Sequence, residues 1–108
     1  MKYYKELTTQ EKELISLIQE VGYGQMEFVF IENGSAVFTA DTQKVSNIKL
    51  SGNENLHVGS RPDGDFQLKH EHIALIKAIR KRTIGVIRKI KVRSGLPTDV
   101  IMAEGVMS

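Results

Sequence analysis

The sequence predicts an α+β protein of two layers, with two amphipathic helices packed on one face of a mainly antiparallel sheet. Three observations carry this. Two runs with helical periodicity, centred on Leu14–Ile18 and Leu75–Ile79, are each followed by a glycine and an alternating stretch. Asn33-Gly34 stands between two apolar runs, the favoured two-residue hairpin turn. A shift of 61 residues brings the two halves of the chain into register.

The first helix is marked at its start by Thr8 and Glu11, spaced as a capping box in which each side chain satisfies a free backbone N–H. Leu14, Ile15, Leu17, Ile18 and Val21 form its apolar stripe, and Gly22 and Gly24 stop it. Gln25–Glu32 reads as a strand, returning through Ser35–Asp41. A tight turn at Asn33-Gly34 pairs Ile31 with Ala36, Phe30 with Val37, Val29 with Phe38 and Phe28 with Thr39. Strict alternation then puts Val29, Ile31, Ala36, Phe38 and Ala40 on one face and Met26, Phe28, Phe30 and Val37 on the other. Both faces are apolar, so the second group is the candidate interface for a homodimer or a protein partner.

Val45–Leu50 suggests a short strand, and 51–65, rich in Gly, Asn, Asp and Pro, a linking loop. The second helix is expected over 67–82, with Asp65 as its N-cap and Leu68, Ile73, Leu75, Ile76 and Ile79 as its apolar positions. From Val86 to Arg93 the pattern alternates, with Val86, Ile90 and Val92 on one side and Lys89, Lys91 and Arg93 on the other. Ser94-Gly95 makes a turn and Pro97–Ala103 a last strand. A helix-turn-helix over 87–101, IRKIKVRSGLPTDVI, competes with this reading. However, Lys91 occupies a position where that motif wants a small buried residue, and the alternation favours a strand.

The offset of 61 superposes Leu14, Ile15 and Ile18 on Leu75, Ile76 and Ile79, Gly24 on Gly85, Val29 and Ile31 on Ile90 and Val92, and Gly34 on Gly95. The expected organisation is therefore one domain over 1–108, built from two αββ repeats at about 8–50 and 66–104. One copy is too small to bury its own stripe, so the copies should pack together. The stretch IQEVGYGQMEFVFIENGSAVFTADTQKVSNIKL resembles the small bacterial YezD-like family, a domain of unknown function, through Tyr23-Gly24, Gly34 and Thr42–Leu50. The second unit, IGVIRKIKVRSGLPTDVIMAE, is similar but lacks the aromatic before its glycine. The resemblance implies a helix, a break, a strand, a glycine turn and a second strand; it implies no activity or ligand.

Charge is unevenly spread. Residues 1–68 hold six Lys and Arg against ten Asp and Glu, whereas 69–93 hold nine against one. Such asymmetry points to an anionic partner, either nucleic acid or an acidic protein. The candidate contacts are Lys77, Arg80, Lys81 and Arg82 on the helix and Arg88, Lys89, Lys91 and Arg93 on the strand, where a stripe of cations could follow a phosphate backbone. No aromatic residue interleaves with them in the sequence, which speaks against a base-stacking platform.

The remaining chemistry is sparse. With no cysteine there is no disulfide framework, thiolate nucleophile or Cys-based zinc site. His70 and His72 point apart on a helix and could chelate only if extended, and no third ligand is spaced to join them or His57. Asp63 and Asp65 lack the later ligands of a calcium loop, and no glycine-rich phosphate cradle is present. The reading is a non-enzymatic binding or regulatory module without a cofactor. Cytoplasmic placement is expected, since no apolar run approaches a membrane span and no charged-then-apolar leader opens the chain.

Overall fold

In a computed structural model that describes residues 1–48, 50 and 64–104, a short turn of 3-10 helix, Tyr4–Glu6, leads into α1 (Thr9–Val21). Strands β1 (Gly24–Glu32), β2 (Ser35–Val37) and β3 (Gln43–Ser46) follow. Then come α2 (His70–Arg80), β4 (Ile84–Arg93) and β5 (Leu96–Ala103). The two helices pack on one face of a five-stranded sheet in which every pairing is antiparallel. β1 and β4 are the central strands, β5 borders β4, and β2 and β3 share the far edge of β1. The fold class is α+β in two layers.

Local chemistry accounts for the elements. Thr8 Oγ1 accepts from Glu11 N at 3.2 Å while Glu11 Oε1 accepts from Thr8 N at 3.0 Å, so the expected capping box starts α1. Asn33 and Gly34 have φ of 52° and 75°, the paired left-handed conformation of a type I′ turn, and they set the Phe30–Val37 and Ile31–Ala36 pairs as expected. The segment from Ile84 to Arg93 is a strand, not the first helix of a helix-turn-helix.

Three boundaries differ from the sequence reading. The second helix begins at His70 with Lys69 as its N-cap, because the preceding residues hydrogen-bond to the amino-terminal segment instead. Leu68 N donates to Lys2 O, Tyr4 N to Phe66 O, and Asp65 accepts from Lys5 N rather than capping α2. The return strand stops at Val37, so the Val29–Phe38 and Phe28–Thr39 pairs do not form, and Gln43–Ser46 pairs with the first half of β1 in their place. The first unit thus contributes three strands, one more than the αββ pattern of the second. The strand expected over Val45–Leu50 lies earlier, at β3; the linking loop expected at 51–65 falls mostly outside the described residues.

The faces also change along β1 and β4. Met26 is 1% exposed and packs under the helices with Val29 and Ile31, so it leaves the face expected to hold Phe28 and Phe30. On β4 the switch falls at Arg88: Ile87, Ile90 and Val92 are buried, and Val86 lies on the opposite side from Ile90. The cause is backbone. Phe28 has φ of 55°, and the β4–β5 register slips by one residue between Ile87 and Lys89. Each irregularity reverses the alternation that a regular strand would keep.

Two apolar clusters hold the layers together. Leu14, Ile18, Met26, Val29, Ile31, Leu75, Ile79, Ile87, Ile90 and Val92 fill the space between helices and sheet. Leu7, Ile15, Leu68 and Ile76 form a second cluster with Tyr4 and Phe66, whose rings stack at 4.9 Å. Each fully buried aliphatic side chain contributes about 1.5–3 kcal/mol.

Candidate interaction surface

Helices cover one face of the sheet, and the other face is uncovered among the described residues. Alternation from the buried positions places Gln25, Glu27, Phe28, Phe30 and Glu32 of β1 on it, with Val86, Arg88, Lys89, Lys91 and Arg93 of β4. β3 adds Gln43 and Val45, and β5 adds Asp99 and Ile101. A cleft in this face is lined by Glu27, Phe28, Phe30, Asp41, Gln43, Val86 and Arg88. Phe28 is 41% exposed, Ile101 51% and Ile84 72%, so apolar groups stand open to water on both central strands and on β5.

Phe28 is the most unusual residue of the face. A bulky side chain with φ of 55° costs on the order of 1–2 kcal/mol relative to glycine. The conformation is held by Thr42, whose hydroxyl donates to Phe28 O at 2.6 Å and accepts from Thr39 N at 3.0 Å. Glu27 is oriented by a hydrogen bond from Gln25 Nε2 and lies opposite Lys89 in the ladder; Lys91 lies opposite Asp99.

The eight cations singled out in the sequence do not form one surface. Arg88, Lys89, Lys91 and Arg93 come together on the open face. Lys77, Arg80, Lys81 and Arg82 belong to α2 and the turn after it, in the other layer. Two of these are engaged in ion pairs: Arg80 with Glu11 through two contacts of 2.7 Å, and Arg82 with Glu104 at 2.5 Å. The open face also carries Glu27, Glu32, Asp41 and Asp99: Glu27 lies opposite Lys89, Asp99 opposite Lys91 and Asp41 in the cleft with Arg88, while Glu32 and Arg93 stand at opposite ends of the ladder. Of the candidate interface residues, Phe28, Phe30 and Val37 share this face and Met26 does not.

Sequence reasoning missed Ile84, Val86 and Ile101 as members of the surface. For Val86 the available signal, strict alternation, was misleading because the Arg88 irregularity is invisible in a residue pattern.

Elsewhere, two buried polar side chains occupy the third position of each helix. Glu11 is 3% exposed; the Arg80 guanidinium holds its carboxyl below the usual range of carboxylates against the opposing effect of burial. His72 is 1% exposed, and burial pushes its imidazole below the usual histidine range. Its Nδ1 accepts from Lys69 N at 3.2 Å and its Nε2 faces Gly95 O at 3.2 Å, which assigns the neutral Nε2–H tautomer. Both groups are absorbed by the fold. Among the described residues no group of three or more His, Cys, Asp or Glu side chains could hold a metal ion, and no helix is long and apolar enough to cross a membrane. Compared with protein-family models, curated proteins and solved structures, the chain matches none.

Proposed function

We propose that this chain is a non-enzymatic protein-interaction module built from two copies of one unit, and that its working surface is the uncovered face of the sheet. The observation that carries the reading is Phe28, an aromatic residue held in a left-handed conformation and left 41% exposed. For the backbone the choice is costly, since Gly or Asn would satisfy it with less strain. A contact made by the ring outside the chain supplies the missing reason. The partner it fits is a protein surface that is apolar at its centre and carries both signs of charge around it.

The two-copy reading is supported by correspondences at the 61-residue offset. Asn33 and Gly34 have φ of 52° and 75°; Ser94 and Gly95 have 53° and 72°. Asn33 N donates to Thr83 O at 2.5 Å and Gly95 N to Gly22 O at 2.9 Å, so each hairpin turn clasps the segment after the other unit's helix, through acceptors that correspond at the offset and donors one position apart. The second core cluster consists of Leu7 and Ile15 with their counterparts Leu68 and Ile76. The β1–β4 ladder maps onto itself under the same offset, with Gly24 opposite Val92 and Gly85 opposite Ile31. The units are thus related by an internal pseudo-two-fold through the centre of the sheet, between Glu27 and Phe28 on β1.

The balance of charge on the open face favours protein over nucleic acid. Binding along a phosphate backbone draws its strength from a net excess of cations, and here the four cations share the face with four carboxylates. The test is hydroxyl-radical labelling of Phe28 and Phe30 in the cells that make the protein and in dilute purified protein. Protection in the cell is expected. Equal labelling in both settings would refute the reading.

A further inference from the structure

We infer that the occupant of this face is a second copy of the same chain, seated about a two-fold axis that lies between the two sheets and runs along the boundary of β1 and β4. The inference rests on the reading of the open face given above and names its partner. Its basis is charge complementarity. Across the β1–β4 boundary the surface is divided by sign and by chemistry: Glu27, Phe28 and Phe30 on one side, Lys89, Arg88 and Val86 on the other. Under the internal pseudo-two-fold, Glu27 corresponds to Arg88 and Glu32 to Arg93, so the two units carry opposite charges at matching positions.

A two-fold axis parallel to the strands keeps each row of the ladder and exchanges its two sides. Glu27 then faces the partner's Lys89, Phe28 faces the partner's Arg88, and Phe30 faces the partner's Val86. Every contact occurs twice, as an isologous interface requires. The three rows supply an ion pair, a cation over an aromatic ring and an apolar contact. In the same rows, at the margins of the contact, Ile101 on β5 comes over the partner's Gln43 on β3 and Asp99 over the partner's Val45. A two-fold axis across the strands would instead lay β4 on β4 and set Arg88 against the partner's Lys89, which like-charge repulsion disfavours. Facing sheets pack about 10 Å apart and within about 30° of alignment, which brings these rows within reach.

The test is charge exchange read by sedimentation equilibrium. The unmodified chain should form dimers. Glu27→Lys sets lysine against the partner's Lys89, and Lys89→Glu sets glutamate against the partner's Glu27, so each variant alone should dimerise at least about tenfold more weakly. An equal mixture of the two should recover the affinity as a heterodimer, because both opposed pairs again have opposite sign. The double variant Glu27→Lys/Lys89→Glu also retains the pair opposite each other within the chain and should dimerise like the original; it serves as the control for folding. A monomeric unmodified chain, unweakened single variants, or a mixture no tighter than either component would overturn the inference. A monomer whose Phe28 is nevertheless protected in cells would refute only the second copy as occupant, whereas unprotected Phe28 would refute the use of the face itself.

Discussion

Arg80 closes two donors on Glu11, Nε on Oε2 and Nη2 on Oε1, each at 2.7 Å. The contact joins the carboxyl end of α2 to the amino end of α1. Each charge also lies at the helix end where the dipole favours it. Glu11 is thereby satisfied by its own helix start and by the opposite helix, which explains how a carboxylate can be buried in so small a protein.

Removing the cation leaves that carboxylate buried. Arg80→Ala should destabilise the fold by about 1–2 kcal/mol in urea denaturation, below the range for a fully buried pair because the Arg80 side chain is 43% exposed. Arg80→Lys should recover only part of the loss, since an ammonium cannot reproduce the two-point geometry.

Stability should fall in acid in two stages. His72 has a lowered folded-state value, so its neutral form stabilises the fold above the ordinary histidine value of 6.5, and this contribution is lost as pH falls below it. Glu11 has a lowered value too, so its charged form stabilises above 4.5 and fails as pH falls further. Thermal melting against pH should show both stages. His72→Gln should remove the upper one and leave the lower.

Phe28→Asn should leave the isolated chain at least as stable as the original, gaining up to about 1 kcal/mol from relief of the left-handed backbone. Denaturation in dilute solution measures this. A clear loss of stability would mean that the ring supports the fold itself.

Gly24→Ala should be severe. A Cβ there would stand 1.9 Å from Val45 O, and φ of 149° is a conformation that side chains rarely adopt. β3 must detach from β1 to relieve the clash, at a cost of several kcal/mol, on the order of the largest single-residue effects. Hydrogen exchange at Gln43–Ser46 should rise selectively.

Much of the fold could be read from residue patterns because the determinants are local. Thr8 and Glu11 cap α1, Asn33-Gly34 fixes one hairpin, and the spacing of Leu14, Ile18, Leu75 and Ile79 identifies the buried stripes. The errors arose where tertiary bonds compete with local preference. Asp65 serves Lys5 rather than its own helix, and Thr42 holds Phe28 O where a longer hairpin would have continued. The surface was harder still. A run of cations in sequence says nothing about which layer each joins, so Arg80, engaged by Glu11, could not be told from Arg88 on the open face. Phe28 and Arg88, 60 residues apart, become neighbours only through the β1–β4 ladder.

The most direct measurement is sedimentation velocity of the unmodified chain and of Phe28→Glu over the same range of concentration, with melting curves to establish that both are folded. The sedimentation coefficient should rise with concentration for the first and stay at the monomer value for the second. A folded Phe28→Glu that associates as well as the original, or an original that stays monomeric throughout, would contradict it.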